Sequence, residues 1–357
     1  MNSTGLATWL PQWMATAGVP GLSISLIQDG KVAWRHSFGV TNAVTQQPVT
    51  AETMFEAASL TKPVFACAIL KLCESGLLDL DTPLVDYLAE QDRSQPLLFG
   101  YLANDMRLQQ VTARHVLSHS SGLPNWDRVP AGKIARCHFT PGERFSYSGT
   151  GYRVLQKVVE TLTGRPAAAI VQATLLQPLG LYDSRLSWTG PAEPMACGHD
   201  ATGRPQEKWQ WPAMSAASSL HCTPADFACF MLALLNPSSD SLFHLGTETV
   251  AEMLRPHIQV NDSAPWQADW PRAEISVEPG VYWGLGWGIQ ETESGRAFWH
   301  WGDNQWFKAF ATGFPDAGIG AVLMANSANG DKLWRPILQE VISGRYPALD
   351  WLERVYV

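Results

Sequence analysis

The sequence is poor in charge. Only 16% of its 357 residues are Asp, Glu, Lys or Arg, with 25 basic against 33 acidic side chains and a net charge of −8. A negative balance with no basic run argues against nucleic acid or an anionic membrane surface as the main partner. No stretch approaches the ~18 uninterrupted apolar residues of a membrane span. The first sixteen residues lack the basic and long apolar regions of a secretion signal, so the cytoplasm is the expected location, or the periplasm if a leader has been removed. The six cysteines form no CxxC pair and no Cys/His grouping with zinc spacing. Cys67 and Cys73, like Cys222 and Cys229, fall in apolar helical patterns and read as small core residues with free thiols. Also missing are a G-x-S-x-G elbow, an HExxH pair, a P-loop and a dinucleotide fingerprint in its strand–turn–helix context.

Apolar residues make up 46% of the chain, enough for a large core in one domain or two interleaved ones. Residues 4–17 have helical spacing, with Leu6, Leu10, Trp13 and Met14 along one side. Strands at 21–27 and 31–38 flank Asp29-Gly30, a hairpin turn. The segment 59–75 reads as a helix stopped by Gly76, with Pro63 in a first turn whose amide needs no helical partner. Further helices are expected over 82–90, 112–118, 150–163, 166–177, 223–235 and 246–254. The long irregular stretches 91–111, 183–222 and 256–280 are of the kind that line sites. Strands are expected at 281–290, 297–301, 308–314 and 319–325, then a helix at 333–343. The outer segments can pair into one antiparallel sheet, giving an α+β fold with sheet parts 1–58 and 281–357 and a helical insert over 59–280.

Ser59-Leu60-Thr61-Lys62 is the only Ser-x-x-Lys in a chain with eight lysines. Helical spacing of three puts both side chains on one face, and a lysine whose pKa is lowered by burial and the helix dipole can activate a serine. Tyr147-Ser148-Gly149 precedes the helix at 150. A phenol beside an ammonium is expected to lose its proton more easily, making Tyr147 a proton shuttle. His300-Trp301-Gly302 ends a strand, where glycine lets backbone approach a substrate. The N–H of Asp303 with that of Ser59 would form an oxyanion hole, and His300 could bond substrate or Tyr147. A capping serine, a packed tyrosine and a surface histidine are the plainer alternatives for the three motifs taken singly.

Together these residues resemble the class C β-lactamase family, which also holds D-peptidases and serine esterases. The resemblance runs through Phe55-Glu-Ala-Ala-Ser-Leu-Thr-Lys62, Val116-Leu-Ser-His-Ser-Ser-Gly-Leu-Pro124, Pro141-Gly-Glu-Arg-Phe-Ser-Tyr-Ser148 and Tyr282-Trp-Gly-Leu-Gly-Trp287. It implies a β-lactamase/transpeptidase-like fold with the site in a cleft between sheet and helical parts, an acyl-enzyme on Ser59, and no metal or cofactor. Small esters, amides or short peptides are the expected substrates. Two departures bear on them. Gly149 stands where the family's Tyr-x-Asn motif has the asparagine that contacts lysine and substrate amide. His300 stands where true β-lactamases have lysine, and a neutral imidazole holds a carboxylate less well. Trp283, Trp287, Trp299, Trp301 and Trp306 surround the third motif, and Trp126 follows the Gly122-Leu-Pro loop. Some are expected to form an apolar wall suited to a neutral acyl group, the alternative being sheet core. Esterase or amidase is the first reading. D-amino-acid peptidase, β-lactamase and a non-catalytic binding protein are its rivals.

Overall fold

The computed structural model describes residues 3–93, 105–125, 137–190, 195–237, 243–261 and 276–355. Helix α1 (Ser3–Ala17) leads into the hairpin β1 (Gly21–Gln28) and β2 (Lys31–Gly39). A short strand β3 (Phe55–Ala58) precedes α2 (Thr61–Glu74), and then come α3 (Glu90–Arg93), α4 (Ala113–Leu117), α5 (Gly149–Thr163) and α6 (Ala167–Val171). Strand β4 (Leu220–Cys222), α7 (Pro224–Leu235) and α8 (Thr247–Met253) complete the middle. The rest is β5 (Ile258–Asn261), β6 (Val277–Trp283), β7 (Gly288–Thr292), β8 (Gly295–Asp303), β9 (Lys308–Phe314), β10 (Ile319–Ala325), α9 (Trp334–Val341) and α10 (Pro347–Val355).

Eight strands form one antiparallel sheet in the order β2-β1-β10-β9-β8-β7-β6-β5. The N-terminal hairpin meets the late strands through β1 and β10, with Leu22 opposite Ala325 and Leu26 opposite Ala321. This is the pairing of outer segments expected from the sequence. The single strand expected over 281–290 is instead two, β6 and β7, which turn back on each other between Trp283 and Gly288. The sheet also reaches back to β5 and β6, into a stretch read as irregular. Helix 82–90 is replaced by a 3-10 turn at Leu84–Tyr87 and the short α3, and α10 had no counterpart in the sequence reading.

Alternation along β8 sorts its side chains. Ala297, Trp299 and Trp301 join the core under α1, α9 and α10, while Phe298 joins the core shared with α2, α5 and α7. Trp283, Trp287 and Trp299 are fully buried and Trp301 nearly so. These four are therefore core rather than pocket wall, and Trp306 is half-buried against the core on the opposite face from Trp283, Trp299 and Trp301, the one that holds Trp287. At about 150–250 Å² buried each, a tryptophan contributes roughly 4–6 kcal/mol of transfer free energy. On α1, Leu6, Leu10 and Met14 are buried as expected, but Trp13 is largely exposed beside Trp9. All six cysteines are free thiols, five buried or half-buried and Cys229 exposed. Among the described residues no helix is long and apolar enough to cross a membrane.

Candidate active site

Ser59 occupies the turn between β3 and α2, two residues before the helix proper. The turn is held from several sides. Leu60 N–H donates to the Ala57 carbonyl and Lys62 N–H to the Ser59 carbonyl. The Thr61 hydroxyl donates to the Ala58 carbonyl (2.6 Å) and accepts from Leu220 N–H (2.8 Å), which ties the turn to β4. Ala58 has a positive φ of 50°, a left-handed conformation that costs a non-glycine residue about 1–2 kcal/mol. The Ser59 N–H has no acceptor among the described residues. An unpaired amide at the start of a helix is a ready donor for an anion.

Lys62 is 1% exposed. Its Nζ lies 3.0 Å from Ser59 Oγ and donates to the Ala217 carbonyl at 2.8 Å. It also lies 4.8 Å from the centroid of the Tyr147 ring and 5.6 Å from that of Tyr152. Burial lowers the Lys62 amine to about 7. The same burial acts oppositely on Tyr147, whose phenol is pushed above its ordinary range; a hydrogen bond with Ser59 opposes this and the Asp303 carboxylate reinforces it. The expectation that a neighbouring ammonium would ease the phenol's ionisation is thus reversed. A cation that is itself discharged by burial cannot stabilise a phenolate.

Two buried imidazoles flank Tyr147. His119 packs with its ring 4.2 Å from the Tyr147 ring, and its Nδ1 accepts from Ser148 N–H at 3.0 Å, so its proton sits on Nε2. His300 is fully buried within the sheet, not on its surface, with its ring 6.2 Å from that of Tyr147. Its Nδ1 donates to the Trp301 carbonyl at 2.7 Å, leaving a lone pair on Nε2. Burial, with help from the charge of Lys62, holds both imidazoles well below their ordinary pKa.

Gly302 shows why glycine follows this histidine. A Cβ there would stand 2.3 Å from the Ala57 carbonyl oxygen, so β8 lies directly against β3, the strand that leads into Ser59. Gly302→Ala is expected to force the two strands apart and cut ester kcat/KM by ~10²-fold, the scale of one lost oxyanion donor. Steady-state kinetics with a melting curve will check it. Gly149 is closed to side chains as well. Its Cβ would meet the Asn125 carbonyl at 2.9 Å, and its N–H donates to Asn125 Oδ1 at 2.9 Å. The Asn125 carboxamide therefore holds the backbone at Gly149, while Lys62 takes its own polar contacts from Ser59 and the Ala217 carbonyl. Trp126 lies outside the described residues.

The structure therefore brings Ser59, Lys62, Tyr147, His300 and Gly302 together. The sequence reading missed Thr61, Asn125, His119 as a neighbour of Tyr147, and the Ala217 carbonyl. The length of the loop around 183–222 was the one signal for the last of these.

The β-lactamase family model matches residues 6–341. The chain belongs to the β-lactamase family. It is 31% identical over 209 residues to esterase EstB of Burkholderia gladioli, covering 50% of each chain. It is 28% identical over 171 residues to the D-aminopeptidase of Brucella anthropi, 47% of this chain and 33% of that one. The matched segments thus span half or less of these curated relatives. Its fold superimposes on the octameric penicillin-binding protein homologue of Pyrococcus abyssi with a TM-score of 0.72 and 27% identity, over 92% of this chain and 74% of the other. The fold is that of the β-lactamase/transpeptidase-like proteins.

Proposed function

We propose that the chain is a serine hydrolase working through an acyl-enzyme on Ser59, and that small neutral esters or amides are its substrates. The observation that carries this reading is a buried lysine, near neutrality by its pKa, with its nitrogen 3.0 Å from a serine oxygen at a helix start. The site would lie between the sheet part, which takes in residues 1–58 and the chain from β5 onward, and the mainly helical part that separates them.

In this reading neutral Lys62 takes the Ser59 proton as Oγ adds to the substrate carbonyl carbon. The N–H groups of Ser59 and Asp303 receive the oxyanion, a contribution of about 3–4 kcal/mol per donor in comparable sites. As the tetrahedral adduct collapses, the C–O or C–N bond breaks and the leaving group takes the proton from Lys62 through the Tyr147 hydroxyl. Water then adds to the acyl-enzyme with the same base, and Ser59 is regenerated. Tyr147 acts throughout as a neutral relay, because ionising it in this environment is costly. His300 presents a lone pair rather than a positive charge, which favours a neutral ester over a carboxylate-bearing lactam.

Because Lys62 must be neutral to act, kcat/KM for an uncharged ester is expected to rise tenfold per pH unit below about 7 and to level off above it. A pH–rate profile measures this directly, and a flat profile from pH 5 to 9 would count against lysine as base. A second reading, release of N-terminal D-amino acids, is favoured by the similarity to the Brucella anthropi enzyme. A panel of p-nitrophenyl acetate and butyrate, D- and L-alanine p-nitroanilides and nitrocefin separates the readings. Preference for the esters supports ours, while preference for the D-anilide or for nitrocefin replaces it with peptidase or lactamase. Inertness to all of them, together with no labelling at Ser59, would leave a binding protein.

A further inference from the structure

Building on the assignment of Ser59 as nucleophile, we propose that Asn304 is a positioning residue that sets the spacing of the two oxyanion donors. Asn304 directly follows Asp303. Its Nδ2 donates to Glu56 Oε2 at 2.8 Å and to the Ser218 carbonyl at 3.3 Å. Glu56 lies on β3 three residues before Ser59, and Ser218 follows Ala217, whose carbonyl holds Lys62. One carboxamide therefore bridges the end of β8, the strand leading to the nucleophile and the loop that anchors the base.

The surroundings leave this side chain the task. Both backbone groups of Asn304 are used inside its turn, the N–H toward the Phe307 carbonyl (3.3 Å) and the carbonyl from Trp306 N–H (2.7 Å). The Asp303 carboxylate accepts from Gln305 N–H at 2.8 Å and pairs with Lys308, so it too is held within the turn. Gly302 touches Ala57 on one side of Asp303, and Asn304 grips Glu56 on the other. The Asp303 N–H is thus fixed relative to β3 at two points, one steric and one polar. Glu56 is 2% exposed, and burial raises its carboxyl pKa against the pull of Asn304, Lys208 and Trp211. A buried carboxylate is costly unless its hydrogen bonds are satisfied, and the acyl chemistry itself does not use this one.

The test compares Asn304→Ala, Glu56→Ala and Glu56→Gln with wild type and Ser59→Ala. Each is assayed for p-nitrophenyl acetate hydrolysis, inhibition by a boronic acid that forms a tetrahedral adduct on serine, and melting temperature. Asn304→Ala is expected to lower kcat by ~10²-fold and to weaken boronate inhibition by the same factor, with KM moved less than ~3-fold. Glu56→Ala follows it, while Glu56→Gln keeps an amide oxygen for Nδ2 and stays within ~3-fold of wild type. A merely structural role would lower the melting temperature without moving boronate affinity in step with kcat, and that result overturns the proposal. If Asn304→Ala does not fold, Asn304→Asp, of the same shape but lacking the donor, is read by the same criteria. Wild type active, Ser59→Ala inactive and Asn304→Ala unchanged would sink the positioning role alone. Wild type inert to both ester and boronate would sink the hydrolase reading along with it.

Discussion

Ser59→Ala is expected to reduce ester turnover by ~10³-fold or more while leaving the melting temperature within a few degrees of wild type. The loss is large because no other hydroxyl can take over. Thr61, the nearest in sequence, already donates to the Ala58 carbonyl and accepts from Leu220 N–H. The Tyr147 phenol is buried and held protonated. The structural effect is small because the turn is fixed by backbone bonds and by Thr61, none of which uses Ser59 Oγ. Lys62 keeps its Ala217 carbonyl in the variant. Turnover by Ser59→Ala within tenfold of wild type would show that the chemistry is elsewhere.

Lys62→Met is expected to lower turnover by ~10²–10⁴-fold, the range of a lost general base, and at the same time to stabilise the protein at neutral pH. The second effect follows from burial. Desolvation lowers the amine from 10.5 to about 7. Below pH 7 it is charged in both folded and unfolded chains, so the full desolvation cost weighs on the folded state. Between about pH 7 and 10.5 the unfolded chain binds more protons, and stability rises with pH. Above that window the amine is neutral in both states and the cost is gone. A methionine of similar length removes it at every pH, with a gain of about 1–4 kcal/mol at pH 7 by analogy with replaced buried charges. Denaturant titrations of both proteins at pH 6 and pH 10 measure this. The gap should be larger at pH 6, and a variant less stable than wild type at both would contradict the assignment of Lys62 as a buried amine whose desolvation outweighs its hydrogen bonds. Such a trade of stability for activity is what a catalytic lysine imposes.

Much of this site was legible because its first pair is local. Ser59 and Lys62 are three residues apart, and helical geometry alone places them on one face. The late strands were legible from their apolar runs, and period-two alternation separates Trp299 and Trp301 from Phe298. It was less visible where backbone decides. The Ala217 carbonyl that holds Lys62 carries no side-chain signature, and only the length of its loop hinted at a role. The β6–β7 turn was hidden because Gly284, Leu285 and Gly286 continue an apolar run that scans as one strand. The direction of the Tyr147 shift was misjudged because charge–charge reasoning ignored burial, which acts on both partners and dominates here. At Gly149 the sequence showed a missing asparagine but not the reason a side chain is excluded there, which is the Asn125 loop packed against its backbone, a pairing no spacing rule gives.

The account rests on Ser59 as the atom that becomes acylated. Intact and peptide mass spectrometry after treatment with a fluorophosphonate tests this most directly, with the Lys62→Met and Ser59→Ala proteins alongside. One adduct per wild-type chain, located at Ser59, slowed in Lys62→Met and absent from Ser59→Ala, is the expected result. Stoichiometric labelling at any other residue, or none at Ser59 in an actively hydrolysing protein, would contradict it.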